Sequence, residues 1–422
     1  MRDAAVHWLS YSIVWLALAV AASGAYGQGT SRSSKAGAAN GDADAGPIAD
    51  YRAQHFYMHT DLSADEAKEL LGRLEVMLEL VSGYWGRPPR GVIEMYVIKD
   101  LKVWPKKKLD PEGVRMVAAG GGITLTQTLG YDEGPLREII DAKSVVYAGA
   151  DHGTPQHEAV HAYCGQTFGR CGPVWYSEGM AEMGNYWKKG DKTVNVHPAV
   201  IEHIRTSKLK TLNAIVNNNE ATGDSWQNYA WRWALCHLLE NNPNYKARFR
   251  PLGLDLLMNR PTTFEQVYGD MANEMSFEYV FFLEHLQNGY RVDLCSWDWK
   301  KKFSPVVGTT DKTSRIMADH GWQPTQGTLK AGEHYLYSAT GSWKTSAGGS
   351  SLTAAGDSEG RGKLMGVIMK DYKLGKPFPL GANGELEAPD DGNLYVRCDD
   401  TWNELADNTG SMTFKIKLKP AK

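Results

Sequence analysis

Along residues 64–85 the apolar positions Leu70, Leu71, Leu74, Met77, Leu78 and Val81 recur at intervals of one, three and four. That spacing places them on one face of a helix. Asp61 or Ser63 stands where an N-cap belongs, so the pattern predicts a helix over ADEAKELLGRLEVMLELVSGYW. On either side the period drops to two: HFYMHT (55–60) and VIEMYVIKD (92–100) alternate as strands do. Strand, helix, strand opens an α+β domain. GITLTQTL (122–129) and SVVYAGAD (144–151) read as further strands, WQNYAWRWALCHLLE (226–240) and MSFEYVFFLEHLQ (275–287) as helices. From about Thr325 helical patterning stops. EHYLYSAT, KLMGVIMK, NLYVRCDD and SMTFKIKL are short strands separated by Gly, Asn and Asp. We place a boundary near Gln326, with an α+β domain over 51–325 and a small all-β sandwich over 326–422.

Two stretches stand outside that pattern. An apolar run (8–22) follows Arg2 and ends in small residues at Ala25-Tyr26-Gly27, the layout of a secretory signal peptide cleaved near Gly27. An uncleaved N-terminal anchor is the rival reading. Residues 28–50 are rich in Gly, Ala, Ser and Asp and nearly free of large apolar side chains, which suits a flexible leader. Together these predict a secreted, periplasmic or cell-surface protein with no stable membrane span after cleavage. The composition is that of a globular protein, with 422 residues, 42% hydrophobic and 23% charged. A net charge of -3 leaves no basic footprint for nucleic acid. Export favours paired thiols, and Cys164 with Cys171, flanking a Gly-containing loop, is the best disulfide candidate; Cys236 with Cys295 is a weaker one.

The chemistry concentrates in QHEAVHAYCGQTFGRCGPVWYSEGMAEM (156–183). His157 and His161, four apart on a helix, present their imidazoles to one ion, with Glu158 beside them. This is the H-E-x-x-H arrangement, in which the histidines hold zinc and the glutamate serves as general base. A catalytic zinc needs a third protein ligand, for which Glu178, Glu182 and His197 are the nearby candidates. The metzincin spacing would require Gly and His where Cys164 and Thr167 stand, and is excluded. Ser177 reads as an N-cap that starts a second helix, which brings Glu178 forward as the third ligand. Glu182, one turn on, suits a hydrogen bond to the far nitrogen of a liganding histidine. For the oxyanion donor the choice is Tyr229, with His237 second. The strand SVVYAGAD is read as an open edge on which an extended peptide would lie.

HEAVH followed by WYSEGMAEM resembles the gluzincin metallopeptidases, and the preceding strand, helix and strand are similar to bacterial peptidase-MA-like proteins. The resemblance implies a zincin-like catalytic domain with zinc at His157, His161 and Glu178, and Glu158 as base. The G-x-M-E-N stretch of the aminopeptidase branch is missing, the local run being AAGGGITLT, so an endopeptidase acting on a peptide or protein substrate is expected.

Near the C-terminus, Asp400, Asp407 and Asn408 offer hard oxygen ligands, with a loop carbonyl such as that of Glu404. A D-N-x-G turn explains the same residues without an ion. The segment 326–422 resembles the bacterial galactose-binding lectin family through GSW, KLMGVIM, LYVRCDD and DNTGSMTFKI. That likeness implies calcium held by the Asp400, Asp407 and Asn408 side chains and the Glu404 main chain, and a carbohydrate partner. A carbohydrate-binding or adhesive protein with an inactive peptidase-like domain is the alternative function.

Overall fold

Ser63, not Asp61, starts the long helix. In the computed structural model, which describes residues 6–15, 47–105, 107–133, 136–151, 153–217 and 226–420, Ser63 and Glu66 exchange side-chain and backbone hydrogen bonds. This capping box opens α1 (Ala64–Trp85), and Gly86 in the left-handed region closes it. Asp61 accepts instead from the Lys99 and Asp100 N–H groups, each at 2.7 Å. The predicted apolar face is the buried one, extended by Ala67 and Trp85.

The chain divides into two compact units that alternate along the sequence. Residues 1–189, 212–236 and 250–263 form the first; residues 190–211, 237–249 and 264–422 form the second.

In the first unit β1 (Val6–Trp15), β2 (Ala49–Arg52), β3 (Phe56–Thr60), β4 (Ile93–Ile98), β5 (Gly122–Glu133) and β6 (Leu136–Gly149) make one sheet in the order β1-β5-β6-β4-β3-β2. β3, β4 and β6 run parallel, with α1 as the crossover between β3 and β4; the other pairings are antiparallel. α2 (Pro111–Ala118), α3 (Gly153–Phe168) and α4 (Val174–Tyr186) follow, then α6 (Leu212–Val216) after α5 (Pro198–Thr206) of the second unit. SVVYAGAD is therefore not an edge: it pairs with β5 on one side and β4 on the other. Its antiparallel neighbour β5 is an inner strand too, since the far side of β5 pairs with Val6–Trp15. Of the expected signal peptide only these residues are described; 16–46, with the expected cleavage position and most of the leader, lie outside the described residues. No described helix is long and apolar enough to cross a membrane.

α7 (Trp226–Asn241) and α8 (Lys246–Leu257) each contribute to both units. The second unit continues with α9 (Phe264–Tyr268), α10 (Ala272–Glu284) and α11 (Val292–Cys295), then strands. β8 (Lys312–Met317), β10 (His334–Lys344), β14 (Asn383–Glu387) and β16 (Thr409–Leu418) form one antiparallel sheet in the order β14-β10-β16-β8. β7 (Ser304–Pro305), β9 (Gln323–Leu329), β11 (Leu364–Lys370), β12 (Lys373–Leu374), β13 (Phe378–Pro379) and β15 (Gly392–Cys398) form the other. Ile316, Trp343, Phe414 and Ile416 of the first sheet share one core with Leu364, Ile368, Leu394 and Val396 of the second. The boundary expected near Gln326 falls inside β9, because β7 and β8 already belong to these sheets. The described chain is thus mixed α/β with several β-sheets.

Candidate metal centre

α3 carries His157, Glu158 and His161, and it is covered on almost every side. Its residues from Thr154 to Gln166 are all buried. Arg73 of α1 donates to Gln156 at 2.8 Å, Ser144 Oγ of β6 donates to the Ala162 carbonyl at 3.2 Å, and α4 packs alongside. Gly179 lets α7 close over α4: a side chain there would run into the Arg232 carbonyl and Cys236 Sγ. The motif therefore sits in low dielectric, where charges must be paired.

Three ligand atoms converge. His157 Nε2 lies 3.2 Å from Glu178 Oε2, His161 Nε2 lies 3.4 Å from the same oxygen, and the two Nε2 atoms are 3.1 Å apart. Among the described residues no other group of three His, Cys, Asp or Glu side chains approaches as a metal site does. Tetrahedral bonds of about 2.0–2.1 Å give ligand–ligand edges of about 3.3–3.4 Å, close to the triangle found. The far nitrogens are already engaged. His157 Nδ1 is 2.9 Å from Glu182 Oε1 and His161 Nδ1 is 3.3 Å from Ser177 Oγ. With Nδ1–H donated outward, both Nε2 lone pairs point at the centre. Glu178 Oε1 is buried without a hydrogen-bond partner.

The electrostatics call for positive charge at this point. Burial works against protonation of His157, yet the Glu178 and Glu182 carboxylates outweigh it and raise its pKa to about 9. His161 is likewise raised well above the usual range, Glu178 overcoming burial. Burial would lift Glu178, but the charge of His161 and the bond to His157 bring it down to about 2. The two rings meet edge to face, their centroids 4.9 Å apart, so that both Nε2 atoms crowd the same carboxylate oxygen. A single divalent cation satisfies all three lone-pair atoms at once, and a nitrogen-nitrogen-oxygen set in this geometry fits zinc.

Glu158 is fully buried, and its Oε2 accepts from Thr124 Oγ1 of β5 at 2.7 Å, while Oε1 has no partner. Burial raises its pKa, against the pull of the two histidines. Gly122 makes room, since a Cβ there would sit 2.9 Å from both Glu158 Cγ and the Tyr147 carbonyl. Tyr229 comes to the site, its ring centroid 5.7 Å from that of His157, within a cluster that includes Ile123 and Tyr147.

Several sequence expectations change. Ser177 is not the cap of α4: Pro173 holds that position, and Ser177, one turn inside, meets His161 instead. His197 caps α5 by accepting from the Ala199 N–H at 3.2 Å. His237 belongs to the second unit, stacked on Phe282, and burial pushes its pKa down to about 4. The disulfide between Cys164 and Cys171 is not formed. Both are free thiols, and the loop after α3 turns Cys171 Sγ toward the His161 carbonyl at 3.5 Å. Cys236, Cys295 and Cys398 are also free. Thr124 is a residue that sequence reasoning missed. Its signal was the run Thr124, Thr126, Thr128, three hydroxyls on the buried face of one strand.

In the second unit, Arg361 bridges the residues of the expected calcium loop, with Nε 3.0 Å from Asp400 Oδ1 and Nη2 2.9 Å from Glu404 Oε2. Asp407 Oδ2 accepts from the Ala347 N–H at 3.4 Å, and the Asn408 amide donates to the Ala318 carbonyl at 3.2 Å. Asp400 Oδ2 and Asn408 Oδ1 are buried without partners.

Neither a family profile nor a curated protein matches the chain. Among solved structures, a similar one is described as "EclA N-terminal domain; PllA-like lectin". It is 17% identical over 25% of this chain and 95% of that chain, with a TM-score of 0.21.

Proposed function

We propose that the protein is an exported, zinc-dependent endopeptidase of the gluzincin type. The observation that carries this reading is the convergence of His157 Nε2, His161 Nε2 and Glu178 Oε2, all three side chains buried, with an under-partnered carboxylate, Glu158, beside them on α3. When bound, zinc supplies Lewis acidity, polarising the scissile carbonyl and lowering the pKa of water toward about 7. The chain does the rest. Glu158, held by Thr124, takes the proton from the attacking water and hands it to the leaving amine. Glu182 and Ser177 fix the orientation of the two imidazoles. Tyr229, next to His157, donates to the oxyanion. Cleavage of the expected signal peptide would remove Val6–Trp15 from its pairing with β5, and an extended substrate then takes its place along that side.

The test is metal content together with cleavage of an unfolded protein and of a peptide panel. We expect one zinc per chain, cuts at internal bonds and loss of activity with a chelator, and Tyr229→Phe should slow turnover at unchanged zinc content. A chain that holds no zinc, or that only trims single N-terminal residues, would overturn the reading. Glu182→Ala should weaken zinc binding by about 10–100-fold, because His157 loses the acceptor that fixes its tautomer. Equal affinity in a competition titration would remove Glu182 from the site.

We further propose that the two C-terminal sheets form a β-sandwich similar to the galactose-binding lectins, with calcium at Asp400, Asp407, Asn408 and the Glu404 carbonyl. The supporting observation is the pair of orphaned buried oxygens, Asp400 Oδ2 and Asn408 Oδ1. Arg361 neutralises the other side of this loop, so calcium has to bind at those two oxygens in its presence. Calcium should raise the melting temperature, and Asp407→Ala should abolish the rise; no shift in the unmodified protein would discard the site.

A further inference from the structure

A groove of about 800 Å³ lies in the second unit, over the adjoining ends of β9, β11 and β15. It starts at Gly392 and Asn393, whereas the Asp400 loop follows the opposite end of β15, so the two places are separate. Its walls include Trp299, Phe303, Tyr372 and Tyr395. A groove of this size with aromatic walls is the usual shape of a ligand site.

Two features go beyond what packing requires. Trp299 is fixed from several directions: its Nε1–H donates to the buried Glu278 carboxylate at 3.1 Å, and its ring stacks on Trp297 and meets the edge of Phe277. Glu278 also accepts from the Trp297 N–H at 2.8 Å, so one buried carboxylate locks the segment. Across from it, the two-residue turn between β11 and β12 is Asp371-Tyr372, with φ of 49° and 59°. Such turns favour Asn-Gly, because both residues must be left-handed. A tyrosine there is strained, and strain of this kind gathers at ligand clamps. The turn holds Tyr372 40% exposed, its ring 5.7 Å from that of Trp299.

Around these rings part of the polar lining is unspent. Glu274, Asp371, Lys301 and the Asn393 amide nitrogen line the groove with no side-chain hydrogen bond or ion pair among the described residues, whereas Lys330 lies in the field of Asp391 and Asn393 Oδ1 accepts from Thr328. Unpaired acceptors thus stand beside unpaired donors, and the charges nearly balance: Lys301, Lys330 and Lys370 against Glu274, Glu333, Asp371 and Asp391. A proline-rich peptide also docks on aromatic grooves but offers its host few donors, which would leave both free carboxylates unmet. A sugar offers apolar C–H faces to aromatic rings and hydroxyls that donate and accept.

We propose that this groove binds a neutral oligosaccharide, its rings stacked on Trp299 and Tyr372. The inference does not depend on the peptidase reading. The test is a titration of the full chain, followed by tryptophan fluorescence and calorimetry, with cellotetraose, maltotetraose, chitotetraose and mannotetraose, and with decaproline as the competing class. Tyr372→Asn removes the ring while keeping a residue that tolerates the left-handed region. We expect saturable binding of at least one sugar, weakened about tenfold or more in Tyr372→Asn and unchanged by EDTA. No saturation by about 10 mM of any sugar, equal affinity in Tyr372→Asn, or saturation by decaproline alone would each overturn the proposal. Loss of sugar binding in EDTA would do so too, by assigning the sugar to the Asp400 loop.

Discussion

Glu158→Gln is expected to lower proteolysis by about 10²–10⁴-fold while one zinc per chain is retained. Glutamine keeps the shape of the side chain, and Thr124 can still donate to its carbonyl oxygen as it does to Glu158 Oε2. What is lost is the ability to take a proton. The metal ligands are untouched, because Glu158 is not one of the three converging side chains. Stability separates this outcome from simple damage. Burial raises the folded pKa of Glu158, so in the metal-free chain the folded state holds that proton more tightly than the unfolded state does. Its ionisation therefore costs stability as pH rises through the ordinary carboxylate range, and at neutral pH the amide removes that cost. A melting temperature equal to or above the wild-type value, with activity gone, is the expected pairing. A fall in both would mean that the residue acts through the fold; full activity would end its role as base.

The parts of this arrangement that were legible in the sequence are those fixed by local geometry. Four-residue spacing puts His157 and His161 on one face of any helix, and the apolar face of α1 follows from its period of three and four. The parts that were not legible depend on what lies across from each residue. α3 is buried on all sides, so no amphipathic stripe reports its orientation, and nothing local shows that Thr124 faces Glu158. Ser177 looked like a cap because it precedes Glu178, but Pro173 stops the incoming chain four residues earlier and the helix starts there. SVVYAGAD looked like an edge because its pairing partners are far apart in sequence: β4 comes before it and β5 reaches it through a long hairpin. β8 escaped notice because Ser314 and Ile316 are its only fully buried positions, too few to mark an alternation.

Glu178→Ala should abolish zinc binding at micromolar metal and remove activity with it. Two imidazoles remain, and a catalytic site of this type needs a third protein ligand to hold the ion with one position open. The consequence is visible without any substrate. A ligand that binds only the folded chain stabilises it by about 2.7 kcal/mol at a concentration 100 times its Kd, so zinc should raise the wild-type melting temperature by several degrees. In Glu178→Ala that rise should vanish. The metal-free variant should also melt lower, because the carboxylate paired with both His157 and His161 is gone and a cavity takes its place. Glu182→Ala is the internal contrast. It leaves all three converging atoms in place, so it should keep a zinc-dependent rise, shifted to higher metal concentration. If Glu178→Ala retained the rise at the same metal concentration, the ion would bind elsewhere than at His157, His161 and Glu178.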